Sequence, residues 1–202
     1  MHQKIYINSN NSIGEKCLNW AYSNTPKGFQ IVNNINNCDI FISVKYDKIL
    51  DSKFLESRRC YNFHPNILPN YAGVGTLTHS ILNGEINGGV TLHEIDNGID
   101  TGDIIETIKI KIERSDTAYS LSQKTDEKIY DLFKKRFEDI IFNNYEAIKQ
   151  SEFGRKVYKY KDLDKIFDLT TFMKATYFPN KPKPYFFNKN GNKIEISFEE
   201  DS

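Results

Sequence analysis

Apolar and polar positions along the chain change period several times, and each change predicts an element. "KIYIN" (Lys4 to Asn8) is a short strand candidate. "SIGEKCLNWAYSN" then spaces Ile13, Cys17, Leu18 and Ala21 at helical intervals. "GFQIVNN" can form a second strand, and "CDIFISVKY" a better one, because a continuous apolar run suits a strand covered on both faces. "CYNFH" is another strand, and the intervening "KILDSKFLESRR" reads as a helix. Strands therefore alternate with helices over the first 65 residues, which argues for a parallel sheet with right-handed crossovers.

Beyond that point, Thr76 to Asn83 predicts a short helix ended by Gly84. "GGVTLHEI" and "DIIETIKIKI" read as strands flanking the loop "DNGIDTG". A long helix is expected from about Asp116 to Lys149, with Leu121, Ile129, Leu132, Phe133, Phe137, Ile140, Ile141, Tyr145 and Ile148 in one stripe. Ser115 or Asp116 can cap it. The tail is Lys-, Pro- and aromatic-rich, and "PYFFNKNGNKIEISF" predicts a hairpin turning at Asn190-Gly191.

Composition narrows the function classes. A length of 202 residues suggests one domain with a small appendage, and 39% apolar residues suffice for a core. Lys+Arg and Asp+Glu balance at 27 each, so bulk charge draws the chain towards neither nucleic acid nor an anionic membrane. No run of about 18 apolar residues exists, so no membrane span is expected. "MHQKIYINSNN" has no signal-peptide core, which makes the cytoplasm the expected compartment. Cys17, Cys38 and Cys60 fit neither a disulfide framework nor a C-x-x-C zinc site and are expected to be reduced, partly buried thiols.

Candidate chemistry gathers in two places. His64, His79 and His93 lie 15 and 14 residues apart, without zinc-finger spacing or an H-E-x-x-H helix, so no metal is expected. His64 sits where a parallel strand would give way to a loop, and ligands collect outside the carboxyl ends of such strands. Pro65 and Pro69 restrict that loop, while Gly73 and Gly75 permit tight turns or close ligand approach. Spacing alone leaves His64 open between a satisfied strand-end histidine and a site residue. Asp96, Asp100 and Asp103 cluster in a glycine-rich loop that lacks the ligand pattern of a calcium loop. Either these carboxylates cap backbone amides, or one faces a histidine across adjacent strand ends.

Taken together, the segments "NFHPNILPNYAG", "ILNGE", "GGVTLH" and "DTGDII" resemble the folate-dependent formyltransferase family. That family's signature runs N-x-H-P, L-P-x-Y-x-G, N-G, G-V-T-x-H and D-x-G-x-I-I, and the interval of 38 residues from Asn62 to Asp100 matches it without a gap. The resemblance covers about Cys38 to Glu106. It implies an α/β fold: a Rossmann-like, mostly parallel, doubly wound sheet forming a catalytic core over residues 1–150. A linker, short helix and β-hairpin over 151–202 would follow. It also implies a catalytic trio of Asn62, His64 and Asp100, with N10-formyltetrahydrofolate as formyl donor. His64 would help deprotonate the attacking amine, Asp100 would orient His64 and stabilise its charged form, and Asn62 would donate to the developing oxyanion. A donor of that kind is typically worth ~3–4 kcal/mol. Lys48, Leu50, Ile95, Asp96 and Asn97 should line the pterin pocket. Two departures stand out. Asn66 follows H-P where relatives usually carry Ser, and only 61 residues precede Asn62, about one β-α unit fewer than the full N-terminal half.

The family divides by acceptor. A short tail and zero net charge argue against tRNA. "DLDKIFDLTTFMKATYFPNKPKPYFFNKNGNKIEI" resembles the linker of sugar N-formyltransferases, which implies a nucleotide-linked 4-amino-4,6-dideoxy sugar, UDP preferred over dTDP, in glycan biosynthesis. Tyr71, Gly73, Tyr177 and Tyr185 are the expected substrate contacts; docking of the tail on the core is the other reading for Tyr177, Phe178 and Tyr185. An aminoacyl acceptor and a non-catalytic folate- or nucleotide-binding module are the competing readings. Oligomeric state stays open, a homodimer included.

Overall fold

The structure, a computed structural model, describes residues 2–46, 48–164, 169–179, 181, 183, 185–187 and 192–195. The chain order begins β1 (Gln3–Ile7), α1 (Ser12–Asn24), β2 (Phe29–Ile31), β3 (Ile40–Val44), α2 (Ser52–Glu56) and β4 (Arg59–His64). It continues with β5 (Ala72–Gly73), α3 (Thr76–Leu82), β6 (Asn87–Glu94), β7 (Ile104–Lys111) and α4 (Ala118–Phe142). Then come β8 (Val157–Tyr158), α5 (Leu169–Thr176), β9 (Tyr185–Phe187) and β10 (Lys193–Glu195). Six strands form the central sheet in the order β2-β1-β3-β4-β6-β7. The first four are mutually parallel, whereas β6 runs antiparallel to β4 and β7 antiparallel to β6. This is the α/β, Rossmann-like arrangement that the alternating pattern predicts, with an antiparallel hairpin at one edge.

The apolar runs account for this layering. All five residues of β3 are buried, as a strand covered on both faces requires. On one face Ile40, Ile42, Tyr61 and Phe63 meet the stripe of α4, whose Leu121, Ile129, Leu132, Phe133, Phe137, Ile140 and Ile141 are fully buried. Trp20 of α1 stands edge-on to Phe133 and Phe137, at 6.0 and 5.7 Å between ring centroids. The other face carries a smaller cluster of Cys38, Phe41 and Cys60, packed against Tyr6, Tyr46 and Phe54. All three cysteines are buried and free, and burial pushes the Cys17 and Cys60 thiols up to about 12.

Three expectations need correction. The helix expected to run to Lys149 stops at Phe142, because Asn143 turns into the left-handed region at φ 57° and its N–H closes on Asp139 and Ile140. Tyr145 then leaves the stripe: its hydroxyl donates to Glu94 (2.7 Å) and meets the Tyr61 hydroxyl (3.0 Å). Ile148 is exposed and pairs through its backbone with Ile104. At the other end the cap is Thr117, in a reciprocal box with Ser120, rather than Ser115 or Asp116. The third correction concerns residues 48–59, where only Ser52–Glu56 are helical, started by the Asp51 side chain on the Phe54 N–H.

The tail is tied to the core at two points. β8 pairs in parallel with β5, and Thr78 of α3 donates to the Ala175 carbonyl of α5 at 3.0 Å. β9 and β10 form the expected antiparallel hairpin, while the expected turn at Asn190-Gly191 lies outside the described residues. Among the described residues no helix is long and apolar enough to cross a membrane.

Candidate active site

Strand register assembles the site. β4 pairs Asn62 with Ser43 of β3 on one side and with His93 of β6 on the other. Ser43, Asn62 and His93 thus form a row across three strands on one sheet face, and alternation puts His64 on that face too. The Ser43 hydroxyl donates to Asn62 Oδ1 (2.6 Å), and Asn62 Nδ2 lies 3.1 Å from His93 Nε2 and 3.5 Å from Asp100 Oδ1. His93 Nδ1 is 2.6 Å from the Glu94 carbonyl, so Nδ1 carries the proton and Nε2 accepts from Asn62. Complete burial holds the His93 imidazole neutral, well below the usual range at about 4, despite the nearby Asp100.

His64 is also buried. Its Nε2 donates to the Tyr71 carbonyl at 2.6 Å, which leaves Nδ1 to take up and release a proton. Nδ1 faces Asp100 Oδ2 at 3.5 Å, and Asp100 Oδ1 is 3.6 Å from His93 Nε2. The Asp100 carboxylate is fixed by the Gly73 N–H, which donates to Oδ2 at 2.8 Å. Gly73 has φ 89°, and a Cβ there would stand 2.3 Å from the Tyr158 carbonyl, so glycine is required at this close approach. The structure therefore brings Asn62, His64 and Asp100 together, and it adds two groups that the sequence reading left out, His93 and Ser43. His93 stood in the quoted "GGVTLH" but was given no role. Counting register across β3, β4 and β6 would have placed it.

The loop behind His64 is braced by the residue that departs from the family pattern. Asn66 donates to the Thr76 carbonyl (3.1 Å) and Ser80 Oγ (2.8 Å) and accepts from the Ile67 N–H (2.8 Å). Thr91 Oγ1 donates to the Asn66 carbonyl at 2.8 Å. In the opposite loop Asp96 plays the capping part, accepting from the Gly98 N–H (3.0 Å) and from the Thr101 hydroxyl. Of the two readings of the aspartate cluster, Asp96 follows the first and Asp100 the second.

A cleft of about 520 Å³ opens over these groups. Asn62, His64, His93, Asp100 and Gly73 line its floor, and Lys48, Leu50, Ile95, Asp96 and Asn97 stand around it with Ile49 and Ile99. The size suits a small organic ligand, and the aliphatic wall beside a few convergent polar groups suits a flat heterocycle such as a pterin. Three expected substrate contacts fall elsewhere. The Tyr71 phenol stacks on Tyr158 at 4.9 Å and donates to Glu85 (2.7 Å), so only its carbonyl serves the site. Tyr177 is absent from the lining, where its neighbour Phe178 stands instead with Tyr160. Tyr185 belongs to the hairpin, with Lys193 over its ring at 4.4 Å. His79 packs against Tyr158 at 4.4 Å, and among the described residues no metal-binding cluster exists.

Fold and site now agree on a class. The profile of the formyl transferase family matches residues 21–136, more than half of the chain, and the chain belongs to that family. Among curated proteins it is 33% identical over 148 residues to a methionyl-tRNA formyltransferase of Prochlorococcus marinus, covering 66% of this chain and 44% of that protein. It is 38% identical over 133 residues to the methionyl-tRNA formyltransferase of Halothermothrix orenii, covering 65% and 42%. The chain thus spans less than half the length of these relatives. Among solved structures, a sugar N-formyltransferase from Shewanella superposes with a TM-score of 0.86 over 99% of this chain and 98% of that one, at 19% identity. An N-formyltransferase from Helicobacter canadensis, in complex with folinic acid and dTDP-3-aminofucose, reaches 0.75 over 88% and 81%, at 26% identity.

Proposed function

We propose that this protein moves a formyl group from N10-formyltetrahydrofolate to the amine of a nucleotide-linked amino sugar, of the 4-amino-4,6-dideoxy class and UDP-linked by preference. The observation that carries the reaction is the meeting of Asn62, His64 and Asp100 on the floor of one cleft, with His64 Nδ1 turned to the carboxylate. When bound, the donor supplies the formyl carbon. The chain's own residues would do the rest. Asn62 Nδ2 directs one hydrogen to His93 Nε2 (3.1 Å) and the other, in a longer contact, to Asp100 Oδ1 (3.5 Å). This weaker second contact would be exchanged for the formyl oxygen as charge builds on it. His64 Nδ1 can take the proton that the amine sheds as the new C–N bond forms, then return it to the folate nitrogen as the old bond breaks. Asp100 supports the charged ring in between.

The sugar acceptor is favoured by three considerations. The tail resembles a sugar-enzyme linker, the net charge is zero, and the Helicobacter canadensis relative holds an amino sugar nucleotide. The curated relatives favour methionyl-tRNA as the rival acceptor. Both belong in one assay. Incubation with N10-formyltetrahydrofolate and a panel of UDP- and dTDP-linked 3- and 4-amino sugars, with methionyl-tRNA alongside, should release tetrahydrofolate and add one formyl mass to an amino sugar. Transfer to none of the sugars overturns the acceptor, and near-normal turnover by His64→Ala overturns the mechanism.

A further inference from the structure

Asp100 is one of few non-glycine residues in the left-handed region, at φ 50°. Aspartate enters that region more readily than most side chains, but a turn that must aim a carboxylate from it gains from outside support. That support comes from a segment well past the residues that carry the family resemblance. Gln150 Nε2 donates to the carbonyls of Asp100 (3.0 Å) and Gly102 (2.6 Å). Arg155 Nη1 donates to the same Asp100 carbonyl at 3.1 Å, and its Nη2 donates to the Ile99 carbonyl. Two side chains from one short stretch thus grip three carbonyls of the Asp100 loop. The orientation of the Gln150 amide is forced, since flipping it would set an oxygen against two carbonyls. Its Oε1 is buried and has no hydrogen-bond partner among the described residues. Such an orphaned acceptor is costly, so the two carbonyl contacts of Nε2 are retained against an opposing term.

The same stretch is anchored on both sides of the site. Ile148 and Ile104 exchange backbone hydrogen bonds of 2.8 Å at the start of β7. At its other end, the Lys156 and Tyr158 carbonyls accept from Ala72 and Val74 at 3.0 and 3.1 Å, flanking Gly73. Gly73 is the donor to the Asp100 carboxylate, and Tyr71, stacked on Tyr158, supplies the carbonyl that holds His64. Residues 148–158 therefore form a strap that reaches both the Asp100 loop and the Tyr71–Gly73 segment whose backbone holds His64 and the Asp100 carboxylate.

We infer that Arg155 and Gln150 are positioning residues, which hold Asp100 in its left-handed conformation through the main chain and so aim its carboxylate between His64 and His93. This rests on the reading of Asp100 as the partner of His64. The test compares Arg155→Met, Gln150→Met and, as reference, Asp100→Asn in the full chain, each checked for folding by thermal melting. The imidazole nitrogens of His64 and His93 are followed by ¹⁵N NMR through a pH titration, and turnover is measured in parallel. Both positioning variants should displace the His64 and His93 titrations in the direction that Asp100→Asn does. They should lower kcat by about 10- to 100-fold with KM for the donor changed little, since a shift on the order of 1 Å can cost 10²-fold. Arg155→Lys, which keeps the charge but not the forked contact, should recover only part of the effect. Unmoved imidazole signals in both folded variants, where Asp100→Asn moves them, overturn the inference. If no acceptor is formylated, the NMR comparison still decides it. If turnover is found but Asp100→Asn leaves it intact, the reading of Asp100 fails instead.

Discussion

An asparagine offered as an oxyanion donor is useful only if its amide cannot turn over, and the row across the sheet determines which way Asn62 points. Ser43 gives Oδ1 a donor, and the bare Nε2 of neutral His93 gives Nδ2 an acceptor. That neutrality has a consequence for stability. Burial depresses the His93 pKa to about 4, whereas an unfolded histidine titrates near 6.5. Between these values the unfolded chain binds a proton that the folded chain refuses. The contribution of His93 is thus fully present above about pH 6.5 and is lost as pH falls towards 4, by on the order of 3 kcal/mol. Urea unfolding of wild type and His93→Gln at pH 7 and pH 4.5 checks this: the stability difference between the two proteins should shift in favour of the variant at the lower pH. An unchanged difference would mean that His93 is charged in the folded state. Asn62→Ala removes the proposed donor itself and should lower kcat by about 10²–10³-fold with the fold retained.

At the scale of elements, the loop from His64 to α3 depends on Asn66. Replacing it by Ala takes the acceptor from the Ile67 N–H, while the Ser80 hydroxyl and the Thr76 carbonyl keep the 3.0 Å hydrogen bond between them. At about 1–3 kcal/mol for one buried group left unsatisfied, the loss should be of that size, read as a lower urea midpoint. Asn66→Ser, the residue that relatives usually carry, should recover part of it; equal stability of the Ala variant would show that water substitutes freely. The same scale explains what was legible in the sequence. Buried strands such as "CDIFISVKY" and the stripe of α4 announce themselves because burial is written in periodicity. The end of α4 does not, because Tyr145 and Ile148 keep the helical spacing after the backbone has turned at Asn143, where no glycine or proline marks the stop. Asn62, His64 and Asp100 were legible as a motif, with roles that came from the resemblance. His93 and Ser43 needed register, and Arg155 and Gln150 needed the path of the tail, neither of which a single strand's pattern contains.

At the scale of the whole molecule, the sheet, the two loops and the strap define one cleft, and the proposed donor should couple to the stability of all of them. A ligand that binds only the folded chain stabilises it by RT ln(1 + [L]/Kd), about 2.7 kcal/mol at a hundredfold excess over Kd. For a chain of this size each kcal/mol is worth roughly 2–4 °C in Tm, so a stable folate analogue such as folinic acid should raise the melting temperature by about 5–11 °C. Ile49 allows the effect to be assigned to the cleft. Its side chain is 88% exposed yet lines the aliphatic wall, so Ile49→Glu should leave the ligand-free Tm nearly unchanged. It should also shrink the ligand-induced shift, because a carboxylate would then stand where an apolar ring edge is to be buried. His64→Ala should behave in the opposite way, keeping much of the shift while losing turnover, since His64 is proposed to act on the reacting atoms and the wall to hold the heterocycle. A shift that survives Ile49→Glu intact would move folate binding out of this cleft, and with it the case for Asn62, His64 and Asp100 as the groups that carry the transfer.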